Sequence, residues 1–232
     1  MLWVQNSAHA QSTLPCAPFT EDVLAAPEPR EARSPVQRFE LIKGWVKTQP
    51  YRVLFLGDSL TERFDARVWH DHMAPRGVFN AGISGDRTDH LLWRLQHGNL
   101  VGPPPAAVVI LIGTNDLGHG RAPEIAAEGI RASLLYLRQR LPRARILLLG
   151  LLPREALPDA RLRRETVAVN RLIQGCGDGR TIIYADIGGV LLDAAGKLTP
   201  EIAPDQLHFS RLGYARLAPK LDALIDELVA GR

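Results

Sequence analysis

Four short clusters carry residues suited to acyl transfer. Gly57-Asp58-Ser59-Leu60 offers a hydroxyl beside a glycine that permits a tight turn, and such a turn can present Ser59 where backbone N–H groups are free. Asn80-Ala81-Gly82-Ile83-Ser84-Gly85-Asp86 carries two glycines that let the backbone turn closely around something. Gly113-Thr114-Asn115-Asp116 places a side-chain amide after another glycine. Asp205-Gln206-Leu207-His208-Phe209 spaces a carboxylate three residues before a histidine, so one loop can supply a base and the group that fixes its tautomer. Each has a plainer reading by itself. Ser59 could be a helix N-cap, the glycines and Asn115 turn formers, and Asp205 and His208 an unrelated loop acid and imidazole. Together they supply a nucleophile, a base and several fixed donors for one oxyanion.

Those residues need a scaffold that gathers them at one edge. From Tyr51 onward, short apolar runs alternate with longer amphipathic ones, the signature of strands and helices in turn. Strands are expected at Val53 to Leu56, Val78 to Asn80, Ala107 to Ile112, Ile146 to Leu151 and Thr181 to Ala185. Helices are expected at Val36 to Lys47, about Thr88 to His97, Pro123 to Arg140, Arg161 to Gln174 and Arg211 to Val229. Pro123 suits a first helical turn, and Pro142 closes the same helix. Continuously apolar strands with helical crossovers imply an α/β fold, a three-layer α/β/α sandwich around a parallel sheet. In such sheets ligands sit beyond the carboxyl ends of the strands, where the first three clusters fall.

The chain has 232 residues, 46% of them hydrophobic, which is enough for one sizeable core. Residues 36–232 are read as that domain, and the proline-bearing residues 1–35 as an irregular arm. Lys and Arg number 28 against 25 Asp and Glu, a net charge of +3, and the basic residues are scattered; no nucleic-acid footprint results. No apolar run approaches the roughly 18 residues of a membrane span. Cys16 and Cys176 lack CxxC spacing and are either free thiols or one disulfide. Ala8-His9-Ala10 has the small-x-small form of a signal-peptidase site, although Met1 to Val4 is a short apolar stretch without a preceding basic residue. The pattern favours a periplasmic or secreted location over a cytoplasmic one, and export would make the Cys16 to Cys176 bond plausible.

Other chemistries find less support. Neither G-x-S-x-G nor GxxxxGK[ST] occurs. His70-Asp71-His72 without further ligands reads as surface rather than as a metal site. Gly175 to Gly179 reads as a helix terminus, Trp93 as core packing, with reach toward an acyl pocket as its alternative, and Arg94 as a surface charge.

In this order, the four clusters resemble the conserved blocks of the GDSL, or SGNH, hydrolase superfamily: Ser59, Gly85, Asn115, and Asp205 with His208. Gly85-Asp86-Arg87-Thr88, Leu92-Trp93-Arg94-Leu95, Gly150-Leu151-Leu152-Pro153-Arg154 and Gly213-Tyr214 are similar to the platelet-activating-factor acetylhydrolase catalytic-subunit-like branch. The similarity covers roughly Arg52 to Val229; Arg63 departs from it, standing where relatives often have a small residue. The resemblance implies a flavodoxin-like sandwich with five parallel strands and hydrolysis of small short-acyl esters without metal or cofactor. It also implies a Ser59, His208 and Asp205 triad, with an oxyanion hole from the Ser59 and Gly85 amides and the Asn115 side chain. It allows a homodimer. A carbohydrate O-acetylesterase of the same mechanism stays open, as does a non-catalytic carbohydrate- or partner-binding module on this scaffold.

Overall fold

The computed structural model describes residues 14–17 and 27–231. Five strands, β1 (Val53–Gly57), β2 (Val78–Gly82), β3 (Ala107–Leu111), β4 (Arg145–Leu149) and β5 (Ile182–Ala185), pair only in parallel, in the order β2-β1-β3-β4-β5. The α-helical segments are α1 (Arg33–Thr48), α2 (Ser59–Glu62), α3 (Ala66–Val68), α4 (Thr88–His97), α5 (Thr114–Gly118), α6 (Pro123–Arg140), α7 (Arg161–Ile173) and α8 (Arg211–Ala230).

Because strand side chains alternate between faces, two separate cores form. Leu54, Leu56, Val108, Ile110, Ile146 and Leu148 pack under α1, α4, α6 and α7. Val53, Phe55, Val109, Leu147 and Leu149 pack against α8 together with Leu60, Val68 and Met73. Helices on both faces explain why the strands read as continuous apolar runs rather than as alternating ones. The result is the three-layer α/β/α sandwich expected from the sequence. Chain order reverses between β1 and β3, and the crevice at such a switch point is where open parallel sheets bind ligands. Ser59 follows β1 and Asn115 lies in the helix after β3, so both flank that crevice.

Local hydrogen bonding accounts for the differences in strand length. Leu151 was expected in β4, but the side chain of Asn170 takes its backbone groups: Leu151 N–H donates to Oδ1 at 2.7 Å, and Nδ2 donates to Leu151 O at 3.0 Å. Thr181 lies in a turn instead of β5, because Asp178 accepts from the Arg180, Thr181 and Ile182 amides. Short helices α2 and α5, directly after β1 and β3, have no sequence periodicity long enough to announce them.

Cys16 and Cys176 form a disulfide, which settles the choice left open by their spacing. Leu14 packs against the core on the α1 side, so this part of the arm lies on the domain. The cleavage-site pattern at Ala8 to Ala10 lies outside the described residues. No helix among the described residues is long and apolar enough to cross a membrane.

Candidate active site

Ser59 is the first residue of α2, and its hydroxyl is not the helix cap. Asp58 occupies that place, its Oδ1 accepting from Leu60 N–H at 2.9 Å. The Ser59 hydroxyl is therefore free for other work, while its N–H belongs to the first turn, whose amides lack intrahelical acceptors. Gly57 is needed for close approach: a Cβ there would lie 2.1 Å from Thr61 Oγ1 and 2.7 Å from Leu111 O. Its absence lets α2 settle onto the ends of β1 and β3.

His208 reaches this serine from the loop before α8. Its Nε2 stands 2.9 Å from Ser59 Oγ, and its Nδ1 stands 2.7 Å from Asp205 Oδ2. Asp205 Oδ1 also accepts from the Leu207 and His208 amides, at 3.0 and 2.7 Å. Partial burial alone would raise this carboxyl, but the His208 imidazole and the two amides outweigh it and hold Asp205 down at about 2. An ionised carboxylate thus faces Nδ1 and favours the tautomer with its proton there, leaving Nε2 to accept from the serine. Gln206 adopts a left-handed conformation, φ 65°, which folds the loop back so that Asp205 meets the amides that follow it. The Gln206 backbone carbonyl and side-chain oxygen accept from the Glu155 and Ala156 amides, at 2.8 and 3.2 Å, and fasten the turn.

The glycine and asparagine blocks are joined to each other and to β1. Gly85 has φ 79°, a conformation that glycine adopts without a Cβ penalty. Asn115 Nδ2 donates to Asp86 O at 2.9 Å, which spends one of its two hydrogens and orients the other. Ile83 N–H donates to Gly57 O at 3.1 Å, tying the second block to the residue two before Ser59. Arg154 Nη1 donates to Thr114 O at 2.8 Å and steadies the third.

Each of the first three blocks also sets a buried aspartate beside its candidate residue: Asp58, Asp86 and Asp116. Burial pushes Asp58 up to about 7, against the opposing Leu60 amide, and Asp86 up to about 6, against Arg94. Asp116, raised chiefly by burial, accepts from Thr88 N–H and Oγ1 at 3.0 and 2.9 Å. Sequence reasoning passed over these aspartates, although their recurrence next to Ser59, Gly85 and Asn115 was a readable signal.

Arg94 requires a correction. It is buried, 2% exposed, and not a surface charge. Its Nε donates to Asp86 Oδ2 at 2.7 Å, Nη1 to Asn99 Oδ1 at 2.6 Å and Nη2 to Gly57 O at 2.9 Å. A guanidinium can satisfy three acceptors in different directions, which is why arginine can stand inside this crevice. Trp93 packs on the α1 core with Phe39, as expected. His70 and His72 turn to different carboxylates, Asp71 and Asp222, and no group of metal-ligating side chains forms among the described residues.

The structure thus brings Ser59, His208 and Asp205 together in hydrogen-bond contact at the carboxyl edge of a parallel sheet, an arrangement suited to acyl transfer. Residues 55–216 match the model of the GDSL-like lipase/acylhydrolase family, and the chain belongs to that family. It is 37% identical over 188 residues to platelet-activating factor acetylhydrolase IB subunit alpha1 of Homo sapiens, covering 79% of each chain. It is 35% identical over 179 residues to the alpha2 subunit of Rattus norvegicus, covering 76% of this chain and 77% of that one. Among solved structures, a GDSL-like lipase from Bacteroides thetaiotaomicron superposes with a TM-score of 0.68 at 22% identity, over 82% of this chain and 97% of the other. An acetylxylan esterase from Geobacillus stearothermophilus gives 0.63 at 20% identity, over 76% and 94%. At those identities the likeness is one of fold.

Proposed function

We propose that this hydrolase is a serine esterase acting on short-acyl, acetyl-like carboxylic esters, with Ser59 as nucleophile. The observation that carries the reading is the unbroken relay from Ser59 Oγ through His208 to Asp205, with contacts of 2.9 and 2.7 Å. Oγ attacks the ester carbonyl carbon as His208 Nε2 takes its proton, and Asp205 stabilises the imidazolium that forms. The tetrahedral oxyanion is held by the Ser59 and Gly85 N–H groups and by the second Asn115 Nδ2 hydrogen. Collapse breaks the bond to the alcohol, which leaves with the proton from His208, and an acyl-Ser59 remains. Water then attacks the acyl carbon, gives its proton to His208, and the acid departs as Ser59 recovers its own.

A carbohydrate O-acetylesterase is a second reading of the same chemistry. What favours it is the polar character of the cleft over Gly85, lined by Glu28, Arg30, Arg87 and His119. A non-catalytic binding module has less support, since all the proposed catalytic positions are filled and the relay is intact.

The test is hydrolysis of p-nitrophenyl esters from acetate to dodecanoate by the wild type, Ser59→Ala and His208→Ala, with and without EDTA. Turnover confined to the shortest chains, lost in both variants and indifferent to EDTA, is the expected outcome. Full activity in either folded variant overturns the assignment, and no turnover of any ester favours the binding module.

A further inference from the structure

Among the described residues, two that are not glycine have a positive φ, Glu155 at 61° and Gln206 at 65°. They belong to different loops and they meet: Glu155 N–H donates to Gln206 O at 2.8 Å. A left-handed backbone costs free energy in any residue that carries a Cβ, so each persists only where its surroundings hold it. Gln206 is held by Glu155 itself and by Ala156 N–H, which donates to its side-chain oxygen at 3.2 Å. Glu155 is held by the start of α7. Its Oε2 accepts from the Leu162 and Arg163 amides at 2.6 and 3.3 Å, and its carbonyl accepts from Arg163 Nη2. Arg163, 4% exposed, also donates through Nε to Arg154 O at 2.8 Å and through Nη1 to Gly196 O at 3.1 Å. A guanidinium that grips the carbonyls of Arg154 and Glu155 together leaves their backbone little freedom.

The contact reaches the candidate triad through one peptide plane. The Gln206 carbonyl and the Leu207 N–H belong to the same rigid peptide. Its oxygen is held by Glu155, and its N–H donates to Asp205 Oδ1 at 3.0 Å. Turning that plane withdraws the Leu207 amide from the carboxylate whose other oxygen stands 2.7 Å from His208 Nδ1. His208 Nε2 in turn stands 2.9 Å from Ser59 Oγ. The residue before Glu155 serves the other half of the site, since Arg154 Nη1 donates to Thr114 O, next to Asn115.

We infer that Glu155 is a positioning residue for the proposed base, His208. Its left-handed backbone, clamped by α7, aims an N–H at the Gln206 carbonyl and so sets the carboxylate that orients the imidazole. This role deepens the esterase reading and rests on it. Glu155 touches no reacting atom and no substrate, so its effect falls on kcat and not on KM.

Alanine and glycine at position 155 separate this role from simple helix capping. Both remove the carboxylate that caps α7, but only alanine keeps the Cβ that opposes a left-handed backbone. In Glu155→Ala the unclamped residue relaxes to negative φ and its N–H leaves Gln206, whereas Glu155→Gly keeps the conformation without a clamp. Turnover of p-nitrophenyl esters by the full chain is measured per active site, the sites being counted by exhaustive labelling of Ser59 with a fluorophosphonate. In Glu155→Ala kcat should fall by about tenfold to hundredfold with KM little changed, the scale set by a misplacement of about 1 Å. Glu155→Gly should retain at least about threefold more kcat than Glu155→Ala, a rescue that follows from backbone freedom alone. Gln206→Ala and Gln206→Gly repeat the comparison from the other side of the contact, with glycine again the more active, and serve if Glu155→Ala fails to fold. Helix capping by itself gives a different pattern: both variants at 155 lose Tm, glycine at least as much as alanine, and kcat per site is unchanged. A smaller loss in the alanine variant, or a glycine variant that does not exceed it, overturns the inference with the esterase reading intact. A wild type that turns over none of the esters overturns both.

Discussion

Replacing Arg94 with methionine keeps most of the side-chain length and removes the charge. Three acceptors lose their donor at once: the Asp86 carboxylate, the Asn99 side chain and the Gly57 carbonyl. The Arg94 side chain is 3% exposed and that of Asp86 is fully buried, so water does not replace the lost bonds. Breaking a buried pair by removing one partner costs about 3–5 kcal/mol. At roughly 2–4 °C per kcal/mol for a chain of this size, Tm should fall by roughly 6–20 °C. The deficit should also depend on pH. Asp86 already sits near 6 in the folded protein, above the value of about 4 of an unfolded aspartate. Its ionisation therefore lowers stability as pH rises from about 4 to 6, and without Arg94 the decline continues to higher pH. Calorimetry at pH 5 and pH 8 should show the variant further below wild type at pH 8. Adding Asp86→Asn should recover part of the loss, because the uncompensated charge goes with it. A variant within 2 °C of wild type at pH 8, or an equal deficit at both pH values, refutes the reasoning.

Asn115→Ala removes a side-chain donor from the proposed oxyanion hole, and kcat on p-nitrophenyl acetate should drop by about 100- to 1000-fold with KM little changed; an unaltered kcat sets Asn115 aside as a donor. Asp205→Asn leaves the loop able to accept from the two amides but removes the carboxylate facing Nδ1, so kcat should fall by about 10,000-fold at neutral pH. Because Asp205 is held down at about 2 in the folded protein, its contribution to stability is present above about pH 4 and lost as pH falls through 2. Acid unfolding of Asp205→Asn should accordingly be the flatter curve, and parallel curves count against the assigned interactions. Gly57→Ala brings a methyl against Thr61 and the Leu111 carbonyl, and urea unfolding should report a loss of about 1–3 kcal/mol or more; an unchanged midpoint shows that α2 can shift at no cost.

The sequence by itself determined the layers and the chemical cast. Continuous apolar runs such as Val53 to Leu56 bury both faces whatever their neighbours, and the amphipathic period of α6 and α7 leaves each a single inward face. Ser59, His208 and Asp205, which the structure brings together, could be singled out as candidates because acyl transfer would restrict which side chains can serve and where glycine must stand. Local boundaries were less so, since the Asn170 side chain that takes the backbone of Leu151 lies 19 residues away. The tertiary structure alone decided that Arg94 is interior, because a guanidinium enters a core only where acceptors converge, and Asp86, Asn99 and Gly57 converge through folding. It alone also decided that the disulfide forms, across 160 residues, and that Arg30 lies over Gly85. Periodicity and residue type report how one segment meets solvent or core. They carry no information about which distant segment arrives to meet it, and the support of this site is made of such meetings.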